Sequence, residues 1–208
     1  MKRLIIVVLL AAGISNLHAQ IGFGLRGGLN FSSLPTNTYQ VDVYELEALP
    51  DSYTGWHIGV LSQLHFAGFF VQPELLFVAT GNHMRLREEN QEDFFFTQRF
   101  SKIDLPVMVG SKIGPLRIGI GPVASFLLHS SSELDDEDRF RALDIRENFN
   151  AATFGFQVGA GLDLSNILID FKYEGNLSKL GNGIEVRGSN YAFDTRPRQF
   201  ILSIGLLF

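Results

Sequence analysis

The chain has 208 residues with no cysteine, one tryptophan and few charges, only 19% of residues being Asp, Glu, Lys or Arg. Without cysteine there is no disulfide framework, no thiolate metal ligand, no thiol nucleophile and no lipoprotein-type anchor. Basic residues are the minority, 17 against 22 acidic for a net charge of −5, and the basic footprint of a nucleic-acid binder is therefore missing. A hydrophobic content of 46% excludes a disordered chain. Past the N-terminal segment no apolar run approaches the ~18 residues of a membrane-spanning helix. What the chain does have is glycine, 21 residues, and phenylalanine, 19.

Met1-Lys2-Arg3 is basic, Leu4 to Ile14 is apolar apart from Gly13, and Ser15 to Ala19 is polar and ends in a small residue. That order is the pattern of a secretory signal peptide, too short to span a bilayer. Cleavage is expected between Ala19 and Gln20, so that residues 1–19 form the leader and 20–208 the mature domain. Removing Lys2 and Arg3 leaves 15 basic against 22 acidic side chains, a net charge of −7.

The mature chain alternates with period two, the period of a strand. Eight segments show it: 21–33, 55–66, 69–80, 100–112, 116–127, 153–164, 167–178 and 198–208. The cleanest places Ile167, Ile169, Phe171 and Tyr173 on one face and Asp170, Lys172, Glu174 and Asn176 on the other. Between segments, long connections (34–54, 81–99, 128–152, 179–197) alternate with tight turns at Ala67-Gly68, Gly114-Pro115 and Ser165-Asn166, the residue types that hairpins use. A soluble β-sandwich or lipocalin shares the alternation. A membrane barrel is favoured because the polar face is rich in glycine and in charges of both signs, and because all long connections fall at one end. Aromatics also mark both ends of the apolar face, with Phe23, Phe66, Phe69 and Phe208 at the turn end and Phe31, Trp56, Phe77 and Phe154 at the other. The expectation is an all-β, eight-stranded, antiparallel up-and-down transmembrane barrel with short periplasmic turns and four long extracellular loops, its C-terminal aromatic Phe208 facing lipid.

Three runs carry a family resemblance: Phe23-Gly24-Leu25-Arg26-Gly27-Gly28-Leu29-Asn30-Phe31-Ser32, Val71-Gln72-Pro73-Glu74-Leu75-Leu76-Phe77 and Ile103-Asp104-Leu105-Pro106-Val107. In order and spacing they resemble the first, third and fourth strands of the PorT-like "porin family" outer-membrane barrels of the Bacteroidota, which more often have Glu where Asp104 stands. The resemblance implies the cell outer membrane as location. It implies lipids including lipopolysaccharide, and the barrel assembly machinery, as partners; a secretion or envelope protein is a further one, since one member assists a secretion system.

An eight-stranded barrel is just wide enough for side chains to fill. The inward positions carry Arg26, Lys102, Lys112, Arg117 and Lys172 against Glu74, Asp104, Asp163, Asp170 and Glu174, five of each sign. Buried charges persist when paired, so this set reads as a polar plug; the other reading is an ion or proton path. His57, His65, Gln63, Gln72, Gln157, Asn30 and Asn176 add hydrogen-bonding capacity, and inward glycines make room for long side chains. Pro73 and Pro106 interrupt strands and are expected at bulges or at positions outside the ladder.

Other motifs point less far. The loop residues sum to −8, most acidic around Ser130 to Asp138, which suits basic partners or oxygen coordination of a divalent cation but lacks the spaced Asp-x-Asp-x-Asp-Gly pattern. His129 with Ser130, or His83, could serve a rim hydrolase, but no spacing identifies a triad; no enzyme activity and no cofactor are expected. Phe94-Phe95-Phe96 is expected in a loop, folded onto the membrane interface or presented as a docking patch. The functional expectation is a structural, scaffolding or surface-interaction barrel, with a narrow porin-like pore and a PorT-like secretion accessory factor as alternatives.

Overall fold

The computed structural model describes residues 20–33, 38–41, 44–49, 52–88, 93–132, 146–149, 151–178, 181–186, 189–191 and 197–208. The expected leader with Ala19 and the acidic residues 133–138 lie outside the described residues, and Gln20 opens the first strand. Among the described residues eight strands form a ring: β1 (Gln20–Ser33), β2 (Tyr53–Phe66), β3 (Phe69–Glu88), β4 (Phe94–Ile113), β5 (Leu116–Ser132), β6 (Ala152–Leu164), β7 (Ile167–Asn176) and β8 (Arg198–Leu207). Each pairs antiparallel with its sequence neighbours. β8 returns to β1 in one register, from Gly24 opposite Leu207 to Ser33 opposite Arg198, so the ring has no open edge. In hydrocarbon, which offers backbone N–H and C=O groups no partner, closure is the condition for a sheet to span.

The outward row is apolar and bare. Phe23 (58% exposed), Ile58 (58%), Ile118 (57%) and Ile204 (62%) face away from the ring, a surface that only lipid covers favourably. Aromatic contacts lie along it: Phe66 and Phe69 meet across the first tight turn at 6.0 Å, Trp56 and Phe77 at 5.6 Å, and Phe171 stacks on Phe200 at 5.7 Å. Phe208 follows β8 with its N–H donating to the Phe23 carbonyl (2.8 Å). The three turns use left-handed backbone at Ala67 (φ 47°), Gly68 (81°), Gly114 (59°) and Ser165 (59°), the twist that tight hairpins require.

Two expectations change and a third narrows. First, segment 81–99 is strand rather than loop over its described part. β3 and β4 run on together to Leu86 opposite Phe94, and a hairpin of Thr38–Val41 and Tyr44–Ala48 pairs on the overhang of β3. The backbone keeps its phase while the chemistry inverts: Met84 and Phe96 are buried on the inner side, whereas Arg87 and Arg99 are exposed on the outer. Past the lipid, water wets the outside and the inside becomes the apolar core. Second, Phe94-Phe95-Phe96 therefore lies in β4. Phe96 is buried and stacked near Phe94 (6.3 Å), and Phe95 alone points out. Third, of the two placements expected for the prolines, bulges or positions outside the ladder, the structure has the second. The register is constant through Pro73, Pro106 and Pro122, and the ladders lack only two pairs at each: 62–63 against 72–73, 74–75 against 105–106, and 107–108 against 121–122. The single register shift in β4–β5 is at Ser101/Lys102 instead.

Strand pieces also occur in the other long connections, where Gly181–Val186 pairs with Ser189–Tyr191 and with Arg146–Phe149. On the overhang Arg85 is ion-paired to Glu47 and lies 3.3 Å from Asp93, which also receives Arg87 Nε at 3.2 Å.

Candidate functional site

Alternation sends every second side chain into the ring, and the shear of a closed barrel stacks these rows into a column. The ten charged lumen residues come from six strands and fall into two clusters. In the larger, Lys112 Nζ lies 2.7 Å from Asp163 Oδ2, and Arg117 Nε donates to Asp163 Oδ1 at 2.5 Å. Arg117 also donates through Nη2 to Asp170 Oδ1 (2.9 Å) and through Nη1 to Gln72 Oε1 (2.7 Å), with its guanidinium 5.3 Å over the Phe70 ring. Arg26 bridges Asp170 and Glu74, and Lys172 Nζ donates to Glu74 Oε1 at 2.7 Å. Gln63 donates to Gln72 (2.9 Å) and Gln72 to Glu74 Oε1 (2.6 Å). Four cations meet three carboxylates here.

The smaller cluster holds one cation and two carboxylates. Lys102 Nζ lies 2.8 Å from Asp104 Oδ2 and 3.5 Å from Glu174 Oε1, and Gln157 and Gln199 donate to Glu174 at 2.7 and 2.6 Å. The ten charges balance over both clusters, an arrangement that offsets part of the large cost of removing each ion from water. His57 lies between the rows, with Nδ1 2.7 Å from Asn30 Oδ1 and Nε2 3.0 Å from Ser203 Oγ. The neutral tautomer with its proton on Nδ1 satisfies both, because Ser203 then donates to Nε2.

Two glycines make the packing possible. A Cβ at Gly161 would press on the Asp170 carboxylate and come within 2.9 Å of Arg117 Nη2, and one at Gly119 would sit 2.8 Å from the Phe70 ring. The residue types read as inward from the alternation thus lie inward and in contact. What the sequence reading passed over is apolar: Leu61, Phe70, Leu76, Met108, Leu168 and Ile201 also face the lumen, buried to 6% exposure or less. Their signal was present, since each shares the parity of its strand's inward polar residues, as Leu61 does with His57 and Gln63 and Ile201 with Gln199 and Ser203. The rim candidates stand apart on β3 and β5: His83 Nδ1 is 3.3 Å from the Thr97 hydroxyl, and His129 is exposed.

A closed eight-stranded ring with lipid-facing apolar rows and an ionic lumen defines an integral outer-membrane β-barrel. The chain belongs to the outer membrane protein beta-barrel domain family, whose model matches residues 15–182. No curated protein matches it significantly. Among solved structures, it is similar to the attachment invasion locus protein of Yersinia pestis, crystallised with the heparin analogue sucrose octasulfate (14% identity, 91% of this chain and 99% of that one, TM-score 0.46). It is likewise similar to Neisserial surface protein A (12%, 91% and 99%, 0.47) and to the E. coli outer membrane protein W (14%, 92% and 100%, 0.46).

Proposed function

We propose that this barrel is closed to solutes and serves as a rigid mount for its long connections, acting in structure, scaffolding or surface interaction with no catalytic step. The observation that carries the reading is the unbroken chain Lys112–Asp163–Arg117–Asp170–Arg26–Glu74–Lys172, which crosses the lumen between six strands. A solute would have to break buried ion pairs to pass, and opening one is strongly unfavourable. In this reading residues 1–19 are a cleaved export signal, the assembly machinery inserts the barrel with its tight turns in the periplasm, and the long connections stand among lipopolysaccharide headgroups at the surface. Planar-bilayer recording of the purified barrel tests closure: a flat baseline is expected, and steady openings would replace the reading with a narrow porin-like pore. Protease treatment of intact cells tests orientation. Cuts confined to the four long connections are expected, whereas a cut at Gly114-Pro115 would reverse it.

A second reading, a PorT-like accessory factor of secretion, is favoured by the order and spacing of the three strand motifs in β1, β3 and β4. Its test is a deletion strain, in which secreted cargo would be lost from the medium and retained in the cell.

A further inference from the structure

The smaller charge cluster forms one wall of a cavity between the inner faces of β1 and β3 to β8 at the loop end of the barrel. Its volume is about 30 Å³, room for about two water-sized bodies. Glu174, Lys102, Asn82, Asn176, Ser125 and Thr153 supply the polar lining, and Phe100 and Leu127 apolar wall.

The chemistry of that lining is one-sided. Asn82 is 4% exposed and its Oδ1 has no hydrogen-bond partner, and the same holds for Oδ1 of the part-buried Asn176. Both unpartnered buried atoms on the wall are oxygen acceptors. Two other donors of the lining are already engaged: Lys102 Nζ with Asp104 and Glu174, and Gln199 Nε2 with Glu174. The charge is one-sided too, since two carboxylates share one ammonium. An unpaired buried acceptor is unfavourable, and beside a locally negative group it points to a species that is positive and takes oxygen ligands.

We propose that this cavity is a binding site for a monovalent inorganic cation of the sodium-to-rubidium class, held by the side-chain carbonyls of Asn82 and Asn176 with the adjacent hydroxyls, and balanced by the Asp104–Lys102–Glu174 group. The volume excludes an organic cation of any size. The charge selects against a divalent ion, because one net negative charge beside the Lys102 ammonium would leave a surplus positive charge buried. In keeping with this, no trio of His, Asp or Glu is grouped to hold a metal among the described residues. The site is independent of whether the barrel conducts.

Rubidium serves as the probe because it scatters anomalously. Crystals of the full barrel grown in N-methyl-D-glucamine chloride and soaked in rubidium chloride are expected to show an anomalous peak between Asn82 and Asn176. In detergent, the unfolding midpoint is expected to rise saturably with rubidium or sodium chloride over N-methyl-D-glucamine chloride at equal ionic strength. Asn82→Leu removes one neutral ligand and should weaken the apparent affinity by about tenfold or more, the equivalent of one coordinating contact at 1.4 kcal/mol. Glu174→Gln should also abolish the midpoint difference; if that variant does not fold, Asn82→Leu still decides. An empty cavity in the anomalous map, or equal midpoints in both salts, would mean that water satisfies the acceptors and would overturn the site. Unchanged affinity in Asn82→Leu would also overturn it, and strontium binding there more tightly than rubidium would overturn the monovalent assignment.

Discussion

Ala67 holds φ at 47° in the turn between β2 and β3, followed by Gly68 at 81°. Two successive left-handed residues make the hairpin turn that Asn-Gly favours most, and the methyl group of alanine disfavours that conformation by roughly 1–2 kcal/mol. Ala67→Asn is therefore expected to stabilise the barrel by about 0.5–1 kcal/mol, read as a higher urea midpoint in detergent with an unchanged slope. Arg26 is the opposite case. It is wholly buried and bridges Glu74 and Asp170, so Arg26→Met leaves two carboxylates short of a cation and should destabilise by about 3–5 kcal/mol. Adding Glu74→Gln removes one of the stranded charges and should recover part of that loss. A double variant no more stable than Arg26→Met would show that the pairs do not act as one network.

Pro73, Pro106 and Pro122 lie on consecutive strands, and each removes pairs toward the preceding strand: β3 toward β2, β4 toward β3, β5 toward β4. The three gaps therefore run as a line across adjacent ladders, crossed on the lumen side by the Gln63–Gln72 hydrogen bond. Backbone amides beside the line, such as Ser62, Leu75 and Met108, should exchange hydrogen faster than those of β7 and β8, whose pairing is continuous. Pro122→Val offers the ladder a donor and is expected to add about 0.5–1.5 kcal/mol and slow exchange at its neighbours. The overhang of β3 and β4 shows where sequence legibility ends. Within the bilayer, polar-in and apolar-out alternation marked all eight strands, and it placed Asp170, Lys172 and Glu174 on the inner face with the correct phase. Beyond Thr80 the same strand puts Met84 inside and Arg85 outside, so the pattern reverses and reads as a loop. A period shows which residues share a face but not which solvent that face meets. For the same reason Phe70 and Leu168 read as gaps in a polar row rather than as packing within it. Phe96 anchors the overhang from its buried side. Phe96→Ser should make protease cut the connection between β3 and β4 faster than in the unaltered barrel, while the barrel keeps its heat-modifiable mobility on gels.

At the scale of the whole molecule, side chains cross the lumen at more than one level. Near the tight turns Phe70, Arg117, Asp163 and Lys112 span it, and further along Arg26, Glu74 and Lys172 span it again, with Asp170 joining the two levels. Resistance to flow in series is set by the narrowest level, so emptying one leaves the other in control. The paired truncation Arg26→Ala with Glu74→Ala keeps the net charge and removes one level; it is expected to remain silent in a planar bilayer. Arg117→Ala with Asp163→Ala removes the other and should also be silent. Combining all four should produce steady, ohmic openings in protein that still shows the folded gel mobility. Conduction by either pair alone would place the barrier at a single constriction and make the remaining ion pairs supports of the wall rather than part of the seal.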